Sequence, residues 1–207
     1  MSVRVEAVFS ALHDHAREEI AKSYHADCCI DATAIVLDVL DYASVNGRAL
    51  CTKANIWNKA ALAFIEKHDG PALVTDPPEK LAEWENVKAK WIGIGYETHQ
   101  EGGYRGHLVT IAKYHEQDVL IDLTLNQADR PDYGIIVPAI IAEATLEFIT
   151  GSKNLNLSLN DEFHVWYNAE VSRDDFIDTP AWKHTKQRQP TVRAIIRHAK
   201  EIERLMK

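Results

Sequence analysis

The chain has 207 residues, enough for one well-buried domain and short for two. Hydrophobic residues make up 46% and charged residues 26%, an ordinary globular composition, and no stretch approaches the roughly 18 uninterrupted apolar residues of a membrane helix. A net charge of -8 argues against a broad basic surface for nucleic acid, and three cysteines argue against a disulfide framework. The opening segment MSVRVEAVFSALHDHAREE has only a short apolar stretch, soon broken by charge, and does not read as a signal peptide. A cytoplasmic location, no membrane association and no cofactor are expected.

In chain order, Val5, Val8, Leu12, Ala16 and Ile20 fall at helical spacing and predict one amphipathic helix over residues 4–22. A second helix follows from Ala32, Ile35, Val36, Val39, Leu40 and Ala43, starting near Cys28 with Asp27 as N-cap and ending before Gly47. Leu50, Thr52, Ala54 and Ile56 alternate as in a strand, and Asn58 then caps a short helix from Lys59 to Lys67. Leu81, Trp84 and Val87 suggest another helix. From Trp91 the texture changes to strands: WIGIGYE, HLVTIAKY and DVLIDLTL, the last two joined by a turn at His115–Gln117. A polar loop NQADRPDYG and the apolar stretch IIVPAIIAEATLEFI come next, then the alternating strand FHVWYNAEV. The last helix is expected over residues 191–206, with Pro190 at its start. Helices first and an antiparallel sheet second is the α+β pattern. One domain over 1–207 is expected, with a helical extension from about 180.

Three features converge on one chemistry. Cys28-Cys29 opens a helix, whose positive end favours a thiolate, the reactive form of cysteine. His107 opens a strand after the glycine-rich segment 102–106, where a general base has access. Asp122 lies among apolar residues on the neighbouring strand and needs a partner there, and a histidine one strand away is a suitable one. Nucleophile, base and orienting carboxylate follow the general triad logic. Helical spacing puts Cys29 on the side of Ala32, Val36 and Val39 and ranks it ahead of Cys28, the alternative nucleophile. Cys51 reads as structural. A competing base is His164 with Asp175 or Asp178. Tyr104, Arg105 and Gln127 are candidate pocket residues. Adjacent cysteines near His25 do not have zinc-ligand spacing, so no metal is expected.

The run from Cys29 through IDATAIVLDVLDYASVNGRAL resembles the nucleophile helix of transglutaminase-like (papain-like) proteins, and GHLVTIAKYHEQDVLIDLTLNQ resembles their histidine strand followed by a strand carrying "DLT". The resemblance covers about residues 27–138. It implies a papain-like core with Cys29 as nucleophile, His107 as base and Asp122 as orienter, acting on an amide, thioester or ester of a peptide, protein or small molecule. Ile30 stands where the family often has an aromatic residue. The other expectation is a catalytically inactive binding or accessory protein of bacterial or phage origin on the same fold.

Overall fold

The apolar alternation of Gly47–Asn58 becomes a twelve-residue strand that forms the axis of the molecule. The computed structural model describes residues 3–24, 28–96, 106–159 and 162–207. In chain order it contains α1 (Val5–Asp14), α2 (Ala16–Ala21), α3 (Cys29–Tyr42), β1 (Gly47–Asn58), α4 (Lys59–His68), α5 (Pro78–Asn86), β2 (Trp91–Ile94), β3 (His107–Tyr114), β4 (Gln117–Asp122), β5 (Ile140–Glu143), α6 (Leu146–Ile149), β6 (Leu155–Leu159), β7 (Phe163–Ala169), α7 (Pro180–Lys183) and α8 (Thr185–Leu205). The strands make one curled antiparallel sheet in the order β5-β4-β3-β1-β7-β6, and β2 pairs the second half of β1 on the side where β3 pairs the first half. No helix among the described residues is long and apolar enough to cross a membrane.

Because strand side chains alternate between faces, the two sides of the sheet collect different partners. Leu50, Ala54, Ile56, Val109, Ile111, Leu120 and Val165 share the inner face with Phe148 and the buried loop residues Leu125 and Val137. On the outer face, Ala112, Val119 and Ile121 pack under α1, α3 and α8. These helices cover only part of that face. Asn58 ends β1 and caps α4: its Oδ1 accepts from the Ala61 and Lys90 N–H groups, both at 2.9 Å.

Several boundaries differ from the sequence reading. The expected helix over residues 4–22 is broken at His15 (φ -127°, ψ -26°), whose ring stacks on His198 of α8 at 4.2 Å. Cys28 occupies the N-cap position of α3 without a capping side chain, and Asp27, the expected cap, lies outside the described residues. The same helix ends before Gly47 as expected, at Tyr42, with Ser44 turning left-handed (φ 58°) and Gly47 opening β1. α8 begins at Thr185, so Pro190 sits inside the helix rather than at its start. A proline there removes the N–H that would have met the Lys186 carbonyl and crowds that carbonyl with its ring, a cost confined to the first turns of a long helix. The expected C-terminal extension is packed into the core, with Val192, Ile195 and Ile196 in the cluster shared with α1 and α3. The DLT segment leaves the ladder at Asp122, and Leu125–Ala128 forms a 3-10 turn. The sequence reading missed β6, whose LNLSL alternation sits between polar residues.

Candidate active site

α3 and β3 are fastened to each other one turn from Cys29. Thr33 Oγ1 donates to the carbonyl of Leu108 at 3.0 Å, and both ends of that bond are buried. Thr52 of β1 donates to the carbonyl of His107 itself at 3.2 Å. Gly95 adds a third constraint. It has φ +81°, and a Cβ there would lie 2.7 Å from the His107 backbone nitrogen and 2.9 Å from the Thr52 carbonyl oxygen. Only glycine permits β2 to end against the first residue of β3.

The ladder then sets the side chains. Thr110 of β3 stands opposite Ile121 of β4. Asp122 therefore stands opposite Val109, one diagonal step from His107 on the same face, within reach of long side chains. His107 Nε2 and Asp122 Oδ2 are 2.6 Å apart, and both side chains are fully enclosed. Tyr167 of β7 donates its hydroxyl to the same carboxylate oxygen at 2.8 Å. The other oxygen accepts the backbone N–H of Thr124 at 3.0 Å. Each carboxylate oxygen thus has a donor, which is what a buried charge requires.

Electrostatics follow from this enclosure. Burial works against the charged form of His107, but the Asp122 charge and hydrogen bond, with a smaller contribution from Cys29, outweigh it and raise the imidazole to about 10. For Asp122, burial pushes the carboxyl up, whereas the His107 charge and bond, Thr124 and Tyr167 hold it below the ordinary carboxylate range. Burial, assisted by Asp122, pushes the Tyr167 phenol well above its usual value, so it stays a donor.

Asp122 occupies Nε2 of the ring, leaving Nδ1 on the opposite edge. Nδ1 is buried and has no partner of ordinary hydrogen-bond geometry among the described residues, while the Cys29 thiol hydrogen-bonds the ring more loosely. The Cys29 thiol is close enough to act on the ring. Cys29 is the first residue of α3 and retains 8% exposure in a small cluster with Ile30, Cys51, Leu108 and Phe176. Cys28 points elsewhere, onto a cavity of ≈ 120 Å³ shared with Arg17, Tyr24, Leu123, Thr124 and Asn126. Arg17 of α2 donates from Nε to the Leu123 carbonyl at 3.1 Å and from Nη1 to the Val137 carbonyl at 2.6 Å. Its charge acts on Asp122, Asp129 and Tyr167.

The structure therefore brings Cys29, His107 and Asp122 together and sets Cys28 apart from the histidine. His164 approaches Ser158 at 3.5 Å, while Asp175 pairs with Arg173 and Asp178 with Lys183, so the competing base has neither carboxylate. Gln127 lies in the 3-10 turn after Thr124, but Asn126 rather than Gln127 lines the cavity beside Cys28. Tyr104, Arg105 and His25 lie outside the described residues. Among the described residues no group of three or more His, Cys, Asp or Glu is arranged to hold a metal. Sequence reasoning missed Tyr167, Thr33, Thr52 and Arg17. Tyr167 had a signal: it alternates with Phe163 and Val165 on the buried face of β7, where a phenol needs an acceptor.

No family model, no curated protein and no solved structure matches this chain. The geometry alone carries the functional reading.

Proposed function

We propose that this protein is a cysteine-dependent acyl-transfer enzyme with a transglutaminase-like (papain-like) core, in which Cys29 is the nucleophile, His107 the acid-base group and Asp122 its orienter. The observation that supports it most is a buried imidazole bonded to a carboxylate through one nitrogen, with a helix-opening cysteine acting on the same ring. An imidazole raised to about 10 is charged at neutral pH, the state suited to hold a thiolate and to deliver a proton.

In the first half-reaction the sulfur of Cys29 attacks the substrate carbonyl carbon and the π pair moves onto oxygen. At a helix start the Cys29 N–H has no intrahelical acceptor, which supports its use as an oxyanion donor. The tetrahedral centre collapses, the C–N or C–O bond breaks, and the departing amine or alcohol takes the proton from His107. The products of this half are a thioester on Cys29 and a neutral imidazole. His107 then removes a proton from water or an acceptor amine, which attacks the thioester and expels the thiolate. The acid or new amide leaves, and the thiolate–imidazolium pair is restored. Amide hydrolysis or amine transfer is the favoured reaction.

A second reading, a non-catalytic binding or accessory protein on the same scaffold, draws on the complete enclosure of His107. The two separate on iodoacetamide alkylation followed by peptide mass spectrometry. The enzyme reading expects Cys29 to alkylate at about pH 6, where an unperturbed thiol is almost wholly protonated, and to slow in His107→Ala. Alkylation only above about pH 8, or a rate indifferent to His107, would establish the binding reading instead.

A further inference from the structure

The part of the outer sheet face that the helices leave open has an unusual composition. On β1, Lys53 and Asn55 lie half-buried on this face, whereas Trp57 is 9% exposed and packs with Ala61 of α4 and Trp84 of α5 as the floor of the patch. The ladder partners of these three β1 residues are Asn168, Trp166 and His164 on β7, with Gly93 and Trp91 on β2 opposite Asn55 and Trp57. Trp57 stacks on Trp91 with centroids 5.5 Å apart and meets Trp166 at 5.8 Å, and Tyr96 lies 6.4 Å beyond Trp91. Trp91 and Tyr96 are 46% and 41% exposed. Two open rings, Trp91 and Tyr96, therefore rest on a floor made by the buried Trp57 and half-buried Trp166, with Lys53 Nζ 5.6 Å over the Tyr96 ring, and exposed aromatic rings in a polar surround mark a recognition surface.

These rings are fixed before any ligand arrives. Asn55 Oδ1 accepts from Trp91 Nε1 at 2.9 Å, and Asn55 Nδ2 donates to Tyr96 Oη. Gly93 makes room beneath: a Cβ there would come within 2.8 Å of the Tyr96 ring. Beyond Trp166 the face turns polar without turning charged, through exposed Asn156, Ser158 and Asn168. Lys53 at the near edge is neutralised by Glu170 at 2.9 Å.

We infer that this face is a binding platform for a neutral oligosaccharide. A pyranose ring presents patches of C–H groups above and below and hydroxyls around its rim. Aromatic faces take the former, and amide and hydroxyl side chains take the latter, which is the composition found here. A nucleic acid would also stack on the rings, but it needs cations along its phosphates, and Lys53 is already paired. A protein partner would favour a desolvated apolar centre, whereas amides stand between these rings.

The platform also points toward Cys29. Cys51 lies on the same face of β1, four residues from Asn55 and so roughly 13 Å away, and it packs in the cluster that contains Cys29. Resting on the acyl-transfer reading, the substrate is an amide or ester carried on a glycan, with the sugar seated on the platform and the acyl carbon at Cys29.

The test is titration of the full chain with an N-acetylglucosamine tetramer, cellotetraose and maltotetraose, followed by tryptophan fluorescence and calorimetry. One of the three is expected to bind, with affinity falling about tenfold or more, at least ~1.4 kcal/mol, in Trp91→Ala and in Tyr96→Ala. Both residues are exposed, so both variants should retain the wild-type circular dichroism. Cys29→Ala should bind as wild type, which separates the platform from the chemistry: binding without Cys29 reactivity would sink only the catalytic reading. The platform is overturned if none of the three binds at roughly 10 mM, if binding survives both ring removals, or if oligothymidine binds there instead. It is equally overturned if Trp91→Ala abolishes self-association of the chain, which would make a second copy the occupant.

Discussion

Replacing Tyr167 by Phe removes one oxygen from the most enclosed part of the site and little else. The ring keeps its volume and its edge contact with Phe148 at 6.5 Å, so packing is preserved. What disappears is the 2.8 Å hydrogen bond to Asp122 Oδ2. Bonds to charged groups are worth about 1.5–3 kcal/mol. Oδ2 keeps His107 at 2.6 Å and Oδ1 keeps the Thr124 N–H at 3.0 Å, so the carboxylate is weakened rather than orphaned. A loss of about 2 kcal/mol follows, or roughly 4–8 °C in Tm for a chain of this size. The loss depends on charge. Asp122 is held below its ordinary value of 3.8, so its pairing contributes stability above that pH and loses it as pH falls through the lower folded value. With one donor gone, the folded value moves back up toward the ordinary one. Urea denaturation followed by tryptophan fluorescence should therefore show a wide gap between wild type and Tyr167→Phe at neutral pH, closing as the solution is acidified. A variant as stable as wild type at neutral pH, or a gap of equal size in acid, would refute the account of Asp122 as an ionised carboxylate with donors on both oxygens.

The histidine gives the opposite pH signature. His107 is raised from 6.5 to about 10, so its contribution is complete below the first value and is lost as pH rises through the second. The urea midpoint should decline across that window, and Asp122→Asn should flatten the decline; a wild-type profile flat from neutral to alkaline pH would contradict it. Gly95→Ala places a methyl against two backbone groups in a left-handed conformation. Strain and overpacking together should cost about 2–5 kcal/mol, read as a fall in urea midpoint, whereas a neutral result would mean that β2 and β3 do not abut as described. Thr33→Val keeps the side-chain shape and removes the bond to the Leu108 carbonyl. It should cost about 1–2 kcal/mol and also slow Cys29 alkylation, since α3 loses its register against β3 and His107; unchanged stability would show that the bond is not a fastening.

Local patterns in the sequence located the strands that matter. The alternation in GRALCTKANIWN and HLVTIAKY survives in β1 and β3 because one face of each is buried and a slip of one residue would expose it. Cys29, His107 and Asp122 were legible because each is anomalous where it stands: a thiol at a helix start, and ionisable groups on strands with little water. Thr33 and Thr52 were not, because their roles exist only across long sequence separations, and Tyr167 signalled only that a buried phenol needs some acceptor, not which one. A threonine that bonds a carbonyl 75 positions later looks in sequence like any helix threonine. The break at His15 was equally invisible, because apolar spacing continues through it and the cause is a ring on α8. Pro190 misled for a related reason: propensity favours proline in the first turn, but α8 already begins at Thr185, and its first turns carry the part-buried pair of Arg188 with Asp38 at 3.0 Å, a partner far back in the chain.

The dispersal of the site along the chain has a consequence during synthesis. The thiol sits at residue 29, the imidazole at 107, the carboxylate at 122 and the phenol bonded to it at 167, on a strand that pairs with β1 and β6. A nascent chain emerging from the ribosome thus carries its cysteine long before anything can activate it. Until β3 and β4 have paired beneath α3, Cys29 has neither imidazole nor carboxylate nearby, and β7 adds the Tyr167 donor last. On the proposed chemistry, reactivity at Cys29 would therefore report that pairings spanning most of the chain have formed.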